Sequence, residues 1–145
     1  MPGLTPHHFT ISVADISETV KWYTEKLGFR LIKQFQKKEM NAEIAFMELN
    51  GFYIEIFHLP ESEPLPEFSK NPLKSLAVQG LKYFAFGVDC LDDAVEELRQ
   101  RGVQFLVGPA LGASSHKYAL FQDNNGVAIE LFENDEVFVS QMKCG

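Results

Sequence analysis

Glu55 and Glu130 each sit inside an apolar run, Tyr53-Ile54-Glu55-Ile56-Phe57 and Ala128-Ile129-Glu130-Leu131-Phe132, at an offset of 75 residues. A carboxylate buried there, charged and unpaired, would cost several kcal/mol, so something must compensate it. A metal ion, a hydrogen-bonding partner or a water-filled groove would each serve. The chemistry open to such a pair is metal ligation, proton transfer or both. His8 is the third residue of interest. In His8-Phe9-Thr10-Ile11-Ser12-Val13 the apolar Phe9, Ile11 and Val13 alternate with His8, Thr10 and Ser12. His8 therefore shares a face with two hydroxyls and turns away from the packed side of its strand.

The same offset relates much more of the chain. His8 to Val13 matches Tyr83-Phe84-Ala85-Phe86-Gly87-Val88, and Asn50-Gly51 matches Asn125-Gly126. Both dipeptides are hairpin-turn signals just before a glutamate strand. The chain is thus a duplicated module.

Each copy reads as a strand, a helix and three further strands. In the first, Asp15 with Glu18 three residues on resembles a capping box. Val20, Tyr23 and Leu27 then keep helical spacing up to Gly28, a C-cap, which gives a helix of about 11 residues. Strands follow over 29–35, 42–49 and 52–57. A two-residue Asn50-Gly51 turn places Phe46 opposite Glu55 and Ile44 opposite Phe57. Ala45, Met47, Ile54 and Ile56 occupy the other face, which a covering helix would bury. The second copy repeats this order: a strand over 83–88, a helix beginning near Asp92 with Val95 and Leu98 inward, Gly102, and strands over 103–107, 116–122 and 127–132. The expected divisions are a first module at 7–58, a linker at 59–79, a second module at 80–133 and a tail at 134–145. The linker holds Pro60, Pro64, Pro66 and Pro72, and is long enough to cross between halves or to fold as a lid. In the tail, Val137, Phe138, Val139 and Met142 are read as packing on a neighbour.

Thirteen Lys and Arg against 20 Asp and Glu give a net charge of −7. That is the wrong sign for a phosphate-backbone binder, and nucleic acid is not expected as a partner. No apolar stretch approaches membrane-spanning length and no signal-peptide pattern opens the chain, so a cytoplasmic protein without membrane attachment is expected. Cys90 and Cys144 lack metal-type spacing, which argues against a zinc knuckle and against a disulfide framework. Cys90, near a helix start, is read as a buried, inert thiol.

The double βαβββ pattern carries His8 at the opening of the first strand, Glu55 after a glycine turn, and Asp123-Asn124-Asn125-Gly126-Val127-Ala128-Ile129-Glu130 at the close of the second copy. In this it resembles the vicinal oxygen chelate superfamily, which includes glyoxalase I, extradiol dioxygenases, methylmalonyl-CoA epimerase and the fosfomycin and bleomycin resistance proteins. The resemblance implies an α+β fold in which two βαβββ modules form a U-shaped mixed sheet around a central groove. It also implies a divalent metal (Ni, Zn, Mn or Fe) held at His8, Glu55, Tyr83 and Glu130. Tyr83 stands where the family most often has a second His. A phenol must ionise to bind a metal well, so this departure disfavours dioxygenase chemistry and weakens metal binding. A pocket-lining hydroxyl is the other role for Tyr83. His7 is read as pointing opposite to His8 toward the surface, His58 as lying off the Glu55 face, and His116 as a substitute nitrogen ligand of open parity.

By the same resemblance the activity is glyoxalase-like: a metal-dependent lyase or isomerase acting on a small carbonyl or thioester-type substrate. Glu130 takes and returns the proton, with Glu55 as its alternate, while the metal stabilises an enediolate. Phe46 and Phe57 imply a partly apolar substrate. Resemblance to glyoxalase proper, which acts on a glutathione hemithioacetal, implies basic groups for the substrate's carboxylates, but Arg30, Lys33, Lys37, Lys38 and Lys117 are too scattered to assign. The alternative is a small-molecule-binding protein of the bleomycin resistance kind, without metal or turnover; fosfomycin-type addition is weakened by Tyr83. A homodimer is expected from the family.

Overall fold

The computed structural model describes residues 1–134; Val137, Phe138, Val139, Met142 and Cys144 lie outside them. The chain divides into two compact units, Met1–Pro64 and Leu65–Gly145, so most of the proline-rich segment belongs with the second. The first unit runs β1 (His8–Ser12), α1 (Ile16–Trp22), a π-helical turn (Tyr23–Leu27), β2 (Arg30–Lys37), β3 (Ala42–Leu49) and β4 (Phe52–His58). The second holds a 3-10 turn (Glu67–Lys70), α2 (Pro72–Ser75), β5 (Phe84–Val88), α3 (Leu91–Gln100), β6 (Phe105–Leu111), β7 (Lys117–Gln122) and β8 (Ala128–Glu133). Each unit is a four-stranded mixed sheet, ordered β1-β4-β3-β2 and β5-β8-β7-β6, whose first pair is parallel and whose other pairs are antiparallel. This is the α+β pair of βαβββ modules expected from the repeat. Among the described residues no helix is long and apolar enough to cross a membrane.

Alternation in the first unit sorts the faces as the pattern requires. Ala45, Met47, Ile54 and Ile56 are fully buried, together with Tyr23 and Thr19 of the helical segment. Full burial of an aliphatic side chain stabilises by about 1.5–3 kcal/mol, so this face anchors the module. Asp15 caps α1 by accepting from the Glu18 N–H at 2.9 Å, and Gly28 ends the helical segment at φ 80°. The Asn50-Gly51 turn has positive φ at both residues, the type I′ geometry that suits a two-residue hairpin. It sets Phe46 opposite Glu55 and Ile44 opposite Phe57. The carboxylate of Glu48 secures the turn, accepting from the Gly51 N–H and from Arg30 Nε, each at 2.7 Å.

The second unit departs from a strict copy at its turn. Asp123 N–H donates to Val127 O across three residues, Asn124, Asn125 and Gly126, and only Gly126 takes positive φ, at 87°. The buried Asp123 carboxylate accepts from the Asn125 and Val127 N–H groups, which builds the longer turn. Asn125-Gly126 is therefore not the two-residue hairpin turn its match to Asn50-Gly51 suggested. The extra residue slides β7 by one, so that Leu120 stands opposite Glu130 and Phe121 goes to the buried face. β6 begins two residues later than expected and breaks register twice, around Val107 and around Gly108-Pro109.

α3 buries Leu91, Val95 and Leu98. Its N-cap residue, Cys90, makes no side-chain capping hydrogen bond; instead Glu133 Oε2, from the end of β8, accepts the Leu91 N–H at 3.0 Å. Cys90 is disulfide-bonded and half-buried, which corrects the expectation of an inert buried thiol. The proline-rich segment is partly ordered by Asn71, whose side chain caps α2 through the Lys74 N–H at 3.1 Å, with Pro72 at the first helical position. Leu65 and Lys70 come close to Gly126, so this segment lies along the turn that leads into β8.

Candidate metal and substrate site

In the first unit β1 and β4 are parallel neighbours, with Thr10 paired to Glu55 and His8 to Tyr53. His8, Thr10, Tyr53 and Glu55 therefore project from one side of the sheet. The Thr10 hydroxyl donates to Glu55 Oε1 at 3.0 Å, and His8 Nε2 lies 3.9 Å from the same oxygen. His8 and Glu55 have side-chain exposures of 35% and 23%, accessible without being fully hydrated. The edge of the His8 ring meets Phe46, at 6.3 Å between centroids.

His7 is exposed, as expected, but does not turn away from His8. It precedes β1, so strand alternation does not govern it, and its ring stacks on Tyr53 at 5.1 Å. Its Nδ1 shares a hydrogen bond of 2.8 Å with Nδ1 of His8, one ring donating to the other. That contact leaves Nε2 of His8 turned to Glu55. His58 lies off this face, with Nδ1 3.0 Å from Val13 O.

In the second unit Glu130 pairs with Ala85, where the first unit pairs Glu55 with Thr10. No hydroxyl reaches Glu130 from that neighbour, and burial raises its pKa above the usual carboxylate range. Tyr83, just before β5, has its phenol pKa raised by burial first, then by the charges of Glu130 and Tyr118. Both causes favour the neutral phenol over the tyrosinate. His116 lies on the same face: Tyr118, two residues on, pairs with Phe132, and the His116 ring stacks on Phe132 at 4.9 Å. This settles its parity.

Two of these residues are spaced as two donors to one divalent cation would be. Two donors each about 2.1 Å from one ion lie roughly 3–4 Å apart, and His8 Nε2 and Glu55 Oε1 meet that condition. Within neither unit do three or more His, Cys, Asp or Glu side chains among the described residues gather as a metal site. Tyr53 on this face and the contact of His7 with it escaped the sequence reading. Tyr53, two before Glu55, was readable from alternation; His7 was signalled only by the His-His dipeptide.

The profile described as Glyoxalase/Bleomycin resistance protein/Dioxygenase superfamily matches residues 5–131. The protein YwkD of Bacillus subtilis is 30% identical over 128 residues, covering 88% of this chain and 94% of YwkD. A lactoylglutathione lyase of Escherichia coli O157:H7 is 28% identical over 134 residues, covering 89% and 92%. Among solved structures, a glyoxalase family protein from Enterococcus faecalis superposes with a TM-score of 0.76 at 24% identity, covering 89% of this chain and 97% of that one. The chain belongs to the Glyoxalase/Bleomycin resistance protein/Dioxygenase superfamily.

Proposed function

We propose that this protein is a glyoxalase-like, metal-dependent lyase or isomerase acting on a small carbonyl or thioester-type substrate. The observation that carries the reading is the contact of His8 Nε2 with Glu55 Oε1, the carboxylate steadied by Thr10. Similarity to lactoylglutathione lyases supports the reaction class. His8 and Glu55 of the first module and Glu130 of the second would hold the cation, with Tyr83 or water completing its shell. When bound, a divalent ion polarises a carbonyl or hydroxyl oxygen of the substrate and acidifies the neighbouring carbon.

This chain's own residues do the rest. Glu130, half-buried beside Ala85 and raised in pKa, takes a proton from one carbon and returns it to its neighbour, with Glu55 as the alternate. Phe46, opposite Glu55, and Phe57, opposite Ile44, give the substrate an apolar wall on the Glu55 face. Two copies of the chain form the working unit in this reading, and the protein works in the cytoplasm. The aromatic character of the same face favours one other reading, in which the module sequesters a ligand without turnover.

The test is elemental analysis of the purified protein, with melting curves in EDTA and in added nickel, zinc, manganese and Fe(II). A cation that binds the folded state raises the melting temperature with concentration. His8→Ala and Glu130→Gln are expected to abolish that rise and the conversion of a hemithioacetal, and Tyr83→His to strengthen metal binding. Metal binding indifferent to all three substitutions refutes the site. No metal binding, together with a stabilising response to small aromatic compounds, would establish the sequestering protein instead.

A further inference from the structure

We infer that Lys33 is the anion-recognising residue of the substrate face, and that the ligand carries a carboxylate on an apolar or aromatic stem. The inference rests on the reading that the Glu55 face receives the substrate, and it names the class of molecule received. Strand pairing sets Thr10, Glu55, Phe46 and Lys33 in one row across all four strands of the first sheet. Plain alternation along β2 would not keep both Arg30 and Lys33 on this side. The register breaks between Leu31 and Lys33, so Ile32 is an extra residue, and the break returns Lys33 to the face that Arg30 shares with Glu48. Bulges of this kind re-aim a side chain.

The other cations near this sheet are engaged or lie elsewhere. Arg30 is bound to Glu48 at 2.7 Å and Lys37 approaches Glu39 at 4.0 Å, while Lys38 opens the 3-10 turn (Lys38–Met40) beyond β2. Lys117, in the second unit, is bound to Asp92 at 3.0 Å. Lys33 has no carboxylate within ion-pair distance among the described residues. Its ammonium instead lies over the rings of Phe35 and Phe46, 5.2 Å from each centroid. A cation held by aromatic faces is oriented while its charge stays uncompensated. Two strand spacings, about 10 Å, separate the backbone of Lys33 from that of Glu55. A ligand reaching both presents its anion at one end of the row and its reacting carbon at the other, with Phe46 beneath the stem.

The probes are phenylbutyrate and phenylbutyramide, matched except in charge, titrated calorimetrically into the full-length protein at low salt with EDTA present. The wild type is expected to prefer the acid about fivefold, as for one partly exposed ion pair, and to lose that preference as salt rises. Lys33→Met should erase the preference, Lys33→Arg should keep it, and Lys38→Met should leave it unchanged. Equal binding of the two probes by the wild type, no binding of either, or a preference surviving in Lys33→Met overturns the inference. A parallel nickel titration separates the two ideas. Acid preference dependent on Lys33 without nickel binding sinks the metal reading alone, whereas His8-dependent nickel binding without acid preference sinks only the role of Lys33.

Discussion

Replacing Thr10 by valine removes one hydroxyl, keeps the shape of the side chain, and isolates what that group does for Glu55. The bond spans 3.0 Å to Glu55 Oε1. A hydrogen bond to a charged group contributes about 1.5–3 kcal/mol when buried. Thr10 is exposed and Glu55 retains 23% of its side-chain exposure, so water competes for both. That reduces the expected contribution to about 1 kcal/mol, and the better strand propensity of valine returns a few tenths of it. For a chain of this length the melting temperature should fall by about 2–4 °C. Metal affinity should fall more, by about tenfold, because an outer partner orients the donor as well as stabilising it. Thr10→Ser keeps the hydroxyl and should retain both properties. The assay is a nickel titration by calorimetry beside thermal melts of the metal-free proteins. Thr10→Val binding nickel as tightly as wild type, or Thr10→Ser failing as badly as Thr10→Val, would refute the idea that this hydroxyl positions the carboxylate. The second module supplies the reciprocal experiment, since Ala85→Thr puts a hydroxyl opposite Glu130, where the first module already has one.

The Gly51 N–H first, and Arg30 second, hold Glu48 below the usual carboxylate range, so its stabilising effect is present at neutral pH and is lost as pH falls through its lowered pKa. Glu48→Gln should therefore melt earlier at neutral pH, and its melting temperature should fall less steeply than that of wild type on acidification below the carboxylate range. Gly108→Ala would bring a Cβ to 2.5 Å from Cβ of Ala119 and 2.7 Å from its Cα, at φ 124°. Backbone there cannot yield cheaply, and a loss of about 3 kcal/mol is expected by urea unfolding. Asp15→Ala removes the cap of α1 and should cost about 1 kcal/mol, read as a lower urea midpoint with an unchanged slope.

Alternation and turn chemistry are local properties, and whatever depends on them alone was legible in the sequence. Asn50-Gly51 forms the two-residue turn its sequence suggests, so its length sets the partner of every residue in β3, and Phe46 opposite Glu55 follows from it. The polar face holding His8 and Thr10, the cap at Asp15 and the inward Val95 and Leu98 were readable for the same reason. Where a specific side-chain contact or strand pairing competes with the repeating pattern, only the tertiary structure decided. Asp123 turned inward and bonded two N–H groups of its own loop, which lengthened the second turn and moved β7 by one residue. His7, lying outside β1, answers to the ring of Tyr53 and to its neighbour His8, not to strand parity. Glu133 caps a helix 42 residues earlier in the chain, a partnership created by strand pairing. Lys33 was one of five scattered cations until the register break in β2 turned it toward Glu55 and pairing engaged Arg30, because a bulge is a property of two strands together and neither strand's sequence alone contains it.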